Sequence, residues 1–232
     1  MGKIWKLGLV ASDRIWKNRK IIIAVDGPSS SGKGTIAKLL ANQLGYAYLD
    51  TGLLYRIAAY RKIHGGNTEV LDGLLVDDFM TSLDIKEAEI ELRSDVIGQA
   101  ASEMAKSARV REILTKMQRK FARNPGADHS GVVLDGRDIG TVVIPDADVK
   151  LFITADLETR TRRRFQTLKQ TNPGISFEQI HRSLAERDKQ DRSREIAPLT
   201  IADDYVIIDT SKDSIEESLR KAIDIILDKQ LG

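Results

Sequence analysis

A loop of small residues follows the first strongly apolar stretch of the chain. The segment IIIAVD (21–26) leads directly into GPSSSGKGT (27–35), which fits the pattern G-x-x-x-x-G-K. Small residues let the backbone curl so that its N–H groups face one anion, and a following helix adds partial positive charge. The strand–loop–helix order therefore predicts a phosphate-binding loop, with Lys33 reaching the β- and γ-phosphates of a nucleoside triphosphate. An ordinary glycine-rich turn is the alternative. We expect Asp26 to hydrogen-bond the loop.

The remaining chain alternates between strand-like and helical patterns. Five runs rich in Val, Ile and aromatic residues lack clean alternation, which is typical of strands buried on both faces of a parallel sheet. These runs are 21–26, 46–50, 131–136, 148–155 and 204–210, and helical patterns fall at 33–44, 53–63, 95–123, 157–169, 176–195 and 214–230. The order predicts a three-layer α/β/α fold around a parallel five-stranded sheet. Between residues 64 and 94 the pattern is weaker: 71–83 looks helical, and 84–92 (DIKEAEIEL) is open to interpretation as a strand.

Composition excludes several classes of protein. The 232 residues are 41% hydrophobic, enough to bury one sizeable core. The absence of cysteine excludes thiol catalysis and disulfides, and only 3 histidines argue against a histidine-rich metal site. The net charge of +2 gives no case for a nucleic-acid partner, and no apolar run approaches the ~20 residues that span a bilayer. We expect a cytoplasmic monomer that acts on a small molecule and has neither a nucleic-acid nor a membrane partner.

The first 20 residues are a basic extension that lacks the features of a secretory signal. Trp5, Leu9, Ser12 and Trp16 fall on one face if the segment is helical. A disordered or core-docked tail is the preferred interpretation, and a helix on a membrane surface is the alternative.

Two helical patterns place several charged side chains on one face. These sets are Arg160, Arg163 and Arg164, and Arg187, Asp191 and Arg194. A solvated, salt-bridged helix explains either set alone. Together with a phosphate loop, they predict a lid whose guanidinium groups neutralise a phosphoryl group during its transfer.

Acidic side chains follow the predicted strand 131–136. Asp135, Arg137 and Asp138 crowd its carboxyl end, where open α/β sheets bind ligands, although a structural turn is the alternative. Asp135 is a candidate for supporting Mg²⁺ through water. The residue after Lys33 is Gly34, so the hydroxyl that usually binds Mg²⁺ comes one place later, at Thr35. Thr35 is the second candidate, directly or through water.

Six motifs occur in the order and near the spacing of one known family. They are DGPSSSGKGT, LDTGLLYR, ARVRE, LDGRDIGTVVIPDADVKLF, ERDKQDRSREIAPL and ADDYVIIDTS, within residues 21 to about 228. The chain resembles the bacterial cytidylate kinases, which are (d)CMP kinases among the nucleoside monophosphate kinases. The resemblance implies transfer of the γ-phosphoryl group of ATP to CMP or dCMP, with Mg²⁺, a P-loop and no general base.

The resemblance also implies a role for individual residues. The donor phosphates are held by the loop of Gly27, Pro28, Ser29, Ser30, Ser31, Gly32, Lys33, Gly34 and Thr35. The family residues that hold the acceptor nucleotide and its phosphate are matched by Thr51, Tyr55 and Arg56. Residues that recognise the cytosine edge are matched by Ser102, Arg111 and Asp138. Phosphate-binding arginines are matched by Arg137, Arg187 and Arg194, a ribose contact by Asp191, and lid arginines by Arg163 and Arg164.

These residue types suit cytosine. A carboxylate such as Asp138 accepts from the N4 amino group, while Arg111 and Ser102 donate to N3 and O2. Uracil has an oxygen in place of that amino group and would face Asp138 with a buried mismatch. We therefore expect CMP and dCMP to be much better acceptors than UMP.

The spacing of Ser102 and Arg111 adds a structural prediction. Nine residues at ~100° each place them on opposite faces of one straight helix. They reach the same base only if the helix breaks between them, and Ser107 is a suitable N-cap for a new helix. We predict a helix boundary near 106–108.

The chain departs from the family between its second and third motifs. The family's antiparallel hairpin is missing or much reduced, which leaves residues 64–95 as a shortened insert for the acceptor nucleotide. Residues 21–63 and 96–232 then form the core, with a helical lid at about 157–195, after the extension 1–20.

Two other functions stay open on the sequence. One is a sibling kinase for another monophosphate or a small metabolite, which a panel of acceptors would identify. The other is a nucleotide-gated binding module, which would not release ADP in response to an acceptor.

Overall fold

A parallel five-stranded sheet forms the centre of the molecule in the computed structural model, which describes residues 20–66, 85–170 and 172–231. The strands are β1 (Ile21–Asp26), β2 (Ala47–Asp50), β3 (Gly131–Gly136), β4 (Val149–Thr154) and β5 (Val206–Asp209). Their order across the sheet is β2-β3-β1-β4-β5, with every neighbouring pair parallel. β1 is therefore central, and the loop that follows it lies at the carboxyl edge of the sheet, where such folds bind ligands.

Helices connect these strands, because parallel neighbours cannot be joined by tight hairpins. They are α1 (Lys33–Leu44), α2 (Thr51–Ile63), α3 (Ile85–Leu92), α4 (Asp95–Met104), α5 (Ala108–Arg123), α6 (Leu157–Lys169), α7 (Phe177–Ser193) and α8 (Ile215–Leu231). A single π-helical turn, Ile139–Val143, follows β3. The predicted α/β architecture and five-stranded sheet are confirmed.

The sheet separates two hydrophobic clusters. Alternate residues of β3 belong to different clusters: Val132 and Leu134 pack with α2, α4 and α5, whereas Val133 packs with α1 and α8. Since successive side chains of a strand point to opposite faces, the two clusters lie on opposite sides of the sheet. This arrangement explains why β1 and β3 read as continuous apolar runs, because both of their faces are buried.

The predicted break between Ser102 and Arg111 is confirmed. α4 ends at Met104 and α5 begins at Ala108, with Ser107 as its N-cap. The Ser107 hydroxyl accepts a hydrogen bond from the backbone N–H of Val110 at 3.4 Å. The cap satisfies one of the N–H groups that a helix start leaves without a partner.

The strand interpretation of residues 84–92 is wrong over the described part, where α3 is helical. In a strand, residues 88, 90 and 92 would share one face. Instead Ala88 and Leu92 are buried while Ile90, between them, is 77% exposed. A four-residue spacing of buried positions is that of a helix.

Two predictions fall outside the described residues. They are the interpretations of the N-terminal extension and of the helical pattern at 71–83. Within the ranges that are described, no helix is long and apolar enough to cross a membrane.

Candidate active site

The backbone of the glycine loop bends sharply after β1 and leads into α1. A Cβ added at Gly27 would lie 2.0 Å from the carbonyl oxygen of Ile153, so only glycine fits against β4. Gly32 has a φ of 89°, which favours glycine, and precedes α1 without any side-chain cap. The first turn of α1 therefore presents uncapped amides and the positive end of the helix dipole, a suitable site for phosphate oxygens.

Residues from distant parts of the chain hold this loop in place. The Ser31 carbonyl accepts hydrogen bonds from the Thr210 hydroxyl at 2.8 Å and from Arg163 Nη1 at 3.3 Å. The Ser31 hydroxyl is buried and has no partner among the described residues. A buried hydroxyl without a partner is costly, so this group is suited to a bound ligand.

Lys33 and Asp135 lie near each other beneath the loop. Burial first and then Arg137 lower the pKa of Lys33 to about 8. Burial and then Asp50 raise the pKa of Asp135 to about 6, although Lys33 acts in the opposite direction. The Tyr48 hydroxyl donates to Asp135 Oδ2 at 2.7 Å and fixes that carboxyl group.

The glycine after Lys33 has a steric explanation. A Cβ added at Gly34 would lie only 3.0 Å from Asp135 Oδ2, which leaves little room for the usual Ser or Thr. Thr35 is exposed on the first turn of α1, while Asp135 is buried at the end of β3. Within the described ranges, no group of three or more His, Cys, Asp or Glu side chains converges to hold a metal. One carboxylate with substrate phosphates is nevertheless the set that Mg²⁺ prefers, so Asp135 fits the ion.

Arg56 lies where α2 meets α4. Its Nη1 donates to the carbonyl of Leu92 at 2.6 Å and to that of Ser94 at 3.1 Å. A Cβ added at Gly98 would lie 2.9 Å from Arg56 Nη2 and 3.3 Å from Arg187 Nη1, so both guanidinium groups approach the same glycine. Burial and then Arg164 lower the pKa of Arg56 to about 10.

Arg187 is a cation of this group with a nitrogen that the described residues leave unsatisfied. Burial first and then Arg137 and Arg56 lower its pKa to about 9. Its Nε is buried and has no hydrogen-bond partner among the described residues. A partly buried guanidinium beside two others is unfavourable on its own, and an anion bound here would relieve both the repulsion and the missing bond.

Arg137 links the glycine loop to α7. Its Nε donates to Asp191 Oδ2 at 2.8 Å and its Nη2 to the Ser29 hydroxyl at 3.1 Å. Burial alone would raise the pKa of Asp191, but Arg137 and Arg187 outweigh it, so that pKa is lowered. Asp191 is therefore ionised and fixes the guanidinium of Arg137.

A second buried charge cluster lies next to the first. Asp138 binds Arg111 through Nη2 and accepts from Arg194 Nη2 at 3.3 Å. All three side chains are at most 8% exposed. Arg111 also lies over the ring of Tyr55, 5.9 Å from its centroid, and burial raises the pKa of that phenol to about 12. Arg111 Nη1 is buried and lacks a partner in the described part of the chain.

Two residues predicted to contact the nucleotide, Thr51 and Ser102, form hydrogen bonds within the protein in this structure. The Thr51 hydroxyl donates to the carbonyl of Asp135 at 2.6 Å. The Ser102 hydroxyl donates to the carbonyl of Gly98, one turn earlier in α4, at 3.2 Å. Each hydroxyl proton is used within the protein, so either group can donate to a nucleotide only after it turns, although its oxygen can still accept.

The arginines of α6 point to different partners. Arg163 donates to the hydroxyl of Thr210 at 2.9 Å and to its carbonyl at 2.7 Å. Arg164 donates to Asp95 Oδ1 at 2.7 Å and so joins α6 to the start of α4. Arg160 forms a two-bond pair with Asp188, at 3.0 and 2.6 Å, which ties α6 to α7.

Some residues of the site escaped sequence reasoning. Gln118 is 1% exposed, and neither of its amide atoms has a hydrogen-bond partner among the described residues. It follows Arg111 by two turns on α5, and its amide lies close enough to Tyr55 to act on the pKa of that phenol. The seven-residue spacing places Gln118 on the same face of α5 as Arg111 and could have identified it from the sequence. No feature of the sequence near Tyr48 or Asp188 indicates that they belong to the site.

The expected bond from Asp26 to the glycine loop is wrong. Its carboxylate accepts from the backbone N–H groups of Ile139 and Gly140, both at 2.9 Å, in the π-helical turn. The loop residues bond to Thr210, Arg163 and Arg137 instead. Asp26 is fully buried at the carboxyl end of β1, where those two N–H groups and the Tyr205 hydroxyl hold its carboxylate.

Comparison with known proteins identifies the family of this chain. The family model described as "Cytidylate kinase" matches residues 23–228. The cytidylate kinase of Rhodospirillum rubrum is 44% identical over 210 residues, covering 90% of this chain and 98% of its own. That of Thermosipho africanus is 42% identical over 221 residues, covering 89% and 95%.

A solved structure supports the fold alone. An uncharacterized protein from Eubacterium ventriosum matches with a TM-score of 0.54 and 18% identity, covering 89% of this chain and 98% of that one. Because the family model spans most of the sequence and the relatives match over nearly their whole length, this chain belongs to the cytidylate kinase family.

Proposed function

We propose that this enzyme transfers the γ-phosphoryl group of MgATP to CMP or dCMP, giving ADP and CDP or dCDP. The convergence of Lys33, Arg56, Arg137 and Arg187 at the carboxyl edge of the sheet carries the proposal. The lowered pKa values of three of them, Lys33, Arg56 and Arg187, reflect burial and mutual repulsion. Such a cluster suits two polyphosphate anions that would otherwise repel each other.

The donor phosphates are assigned to the glycine loop. Uncapped amides at the start of α1 bind their oxygens, and Lys33 supplies a mobile charge for the β- and γ-phosphates. Mg²⁺, when bound, would neutralise negative charge on the phosphates. Asp135 is the residue suited to hold it, through water, with Thr35 the second candidate.

The acceptor phosphate is assigned to the arginines of three different elements. Arg56 from α2 and Arg187 from α7 approach each other at Gly98, and Arg137 joins them from the end of β3. The acceptor oxygen is already ionised, so alignment and charge neutralisation are sufficient and no general base is needed. The lid arginines Arg163 and Arg164 extend the positive charge along α6.

Base selection is assigned to the second cluster. Arg111 and Arg194 hold the carboxylate of Asp138 in one orientation, and Arg111 keeps a buried N–H for the acceptor. An oriented carboxylate accepts from the amino group of cytosine and rejects the oxygen of uracil. Gln118 and Ser102 are further polar side chains that α5 and α4 bury.

We assign the moving parts from the elements that carry these residues. α6 and α7, joined by the pair Arg160–Asp188, form the lid at about 157–195, and residues 64–95 form the shortened acceptor insert. The core is 21–63 with 96–232. All the groups of the proposed reaction come from one chain, so we propose that it works as a monomer.

A sibling kinase with another acceptor is the second candidate. The buried Asp138 disfavours it, since a base with an oxygen in place of the cytosine amino group would face this carboxylate with a buried mismatch. A nucleotide-gated binding module needs no second phosphate site, so the cluster of Arg56 and Arg187 disfavours it too.

A coupled assay of ADP release across all nucleoside monophosphates tests the proposal. With ATP and Mg²⁺, ADP should appear only when an acceptor is present, and kcat/KM should be at least about 100-fold higher with CMP and dCMP than with UMP. The variant Lys33→Met serves as the inactive control and should show no turnover. Comparable kcat/KM for CMP and UMP would contradict the assignment, and ADP release independent of acceptor would favour the binding module.

A further inference from the structure

We propose that Asp26 and Arg119 are positioning residues that clamp the π-helical turn Ile139–Val143 at both ends and thereby set the base selectivity of Asp138. This inference rests on the proposed function of Asp138 and extends it to two residues that touch neither nucleotide in the scheme above. The turn is short, irregular and placed between β3 and β4, so its conformation needs external support.

Asp26 holds the amino end of the turn. Its carboxylate accepts from the N–H groups of Ile139 and Gly140 at 2.9 Å and from the Tyr205 hydroxyl at 2.6 Å. Asp26 is 0% exposed, and no cation is paired with it among the described residues. Burying a carboxylate costs free energy. The three hydrogen bonds to Asp26 offset this cost only while the turn keeps its shape.

Arg119 holds the opposite end. Its Nε donates to the carbonyl of Val143 at 2.8 Å and its Nη2 to that of Val142 at 2.9 Å. An acidic group at the amino end and a basic group at the carboxyl end both complement the dipole of the turn. Arg119 lies on the exposed face of α5, the helix that also carries Arg111.

The clamped turn begins at the residue that reads the base. The carbonyl of Asp138 accepts from the N–H groups of Val142 and Val143, at 2.9 and 3.0 Å. The peptide after Asp138 is the one whose N–H binds Asp26. The peptide group after Asp138 is thus fixed at both its carbonyl and its N–H, and the carboxylate of Asp138 reaches Arg111 and Arg194 together.

The packing around Gly140 indicates how tightly the clamp is built. A Cβ at this position would lie 2.6 Å from the Tyr205 hydroxyl and would displace it from Asp26. Asp26 also directly precedes Gly27, the first residue of the donor loop. The same carboxylate therefore joins the backbone of the donor loop to that of the base-reading turn.

Arg119→Met is the first test. The side chain is exposed, so its hydrogen-bond donors can be removed without loss of folding. It should lower the ratio of kcat/KM for CMP to that for UMP by about tenfold, equivalent to ~1.4 kcal/mol. The loss should come from a higher KM for CMP, with the KM for ATP changed by less than about twofold. Arg123→Met, the same change one turn further along α5, should leave the ratio unaltered.

Tyr205→Phe and Asp26→Asn test the amino end, and Tyr46→Phe is the control that removes a tyrosine hydroxyl elsewhere. Tyr205→Phe should lower the ratio while Tyr46→Phe should not, at matched melting temperatures. An unchanged ratio in both Arg119→Met and Tyr205→Phe would overturn the inference, even if Asp26→Asn does not fold. Failure of the wild-type enzyme to phosphorylate CMP would instead refute the proposed function.

Discussion

Gly98 of α4 lies against the guanidinium of Arg56, so that a Cβ added there would be 2.9 Å from Arg56 Nη2. A glycine in the middle of a helix costs up to ~1 kcal/mol relative to alanine. The chain accepts this cost where two arginines, Arg56 and Arg187, need to approach one phosphate. Stability and acceptor binding are thus opposed at a single position.

Gly98→Ala should therefore raise the melting temperature or leave it unchanged, and raise the KM for CMP by about tenfold. The added methyl group displaces the flexible ends of both guanidinium groups, whereas alanine favours the helix. Steady-state kinetics and thermal unfolding measure the two effects. Gln99→Ala, at the exposed neighbouring position, should change neither, and a normal KM in Gly98→Ala would show that the arginines do not meet the acceptor at this point.

Arg187→Met should stabilise the free enzyme while disabling it. The substitution removes a partly buried charge that Arg137 and Arg56 repel, and replacing such groups by apolar ones often gains roughly 1 kcal/mol or more. That gain corresponds to about 2–4 °C in melting temperature for a domain of this size. Loss of one charge that faces the transferring phosphoryl group should lower kcat by about 100-fold or more.

Arg192→Met is the matched control for Arg187→Met, since Arg192 is exposed on the same helix. It should leave both melting temperature and kcat near their wild-type values. If Arg187→Met lowered the melting temperature of the free enzyme, the guanidinium would be satisfied by the protein alone and not reserved for an anion.

Proton uptake should accompany ATP binding in mildly alkaline solution. The pKa of Lys33 is lowered to about 8 in the free enzyme, and bound phosphates favour its charged form. The bound state therefore holds more protons than the free state above pH 8, so ATP affinity should fall as the pH rises through about 8. Calorimetry at about pH 8.5, in buffers with different ionisation enthalpies, measures the uptake.

Lys33→Met should abolish that uptake, whereas Lys38→Met, at an exposed position of α1, should retain it. Heats that do not depend on the buffer in the wild-type enzyme would mean that Lys33 is already charged without ligand.

The fold was predictable because its signals are local. Ser107 caps α5 with its own side chain, and β1 and β3 are apolar throughout because both faces are buried. The helix α3 was not predictable in the same way. Ala88, Ile90 and Leu92 fit a strand and a helix equally well until the exposure of Ile90 is known. From sequence alone this segment could have paired with a strand of the sheet. In the structure it packs against α2 and α4 as a helix.

The sequence was sufficient to predict most of the residues that belong to the candidate site. It was not sufficient to predict which of them contact each other. The resemblance identified Arg137 and Asp191 separately, but their ion pair joins residues 54 positions apart and has no local signal. The bond from Tyr205 to Asp26 spans 179 positions for the same reason. The Gly34 steric limit depends on where β3 places Asp135, so only tertiary structure explains the departure from the usual motif.

Asp138→Asn should relax the choice of base more than any other single change in the site. The amide keeps the shape of the carboxylate, but its N–H₂ group would face Arg111 or Arg194, and one acceptor oxygen is lost. The ratio of kcat/KM for CMP to that for UMP should fall by about 100-fold or more, with a loss of ~3–5 kcal/mol in stability from the broken buried pair. Asp188→Asn breaks another largely buried pair, with Arg160, and should cost similar stability while preserving the ratio. An equal loss of selectivity in the two variants would assign the effect to loosened folding, because only Asp138 lies among the residues that read the base.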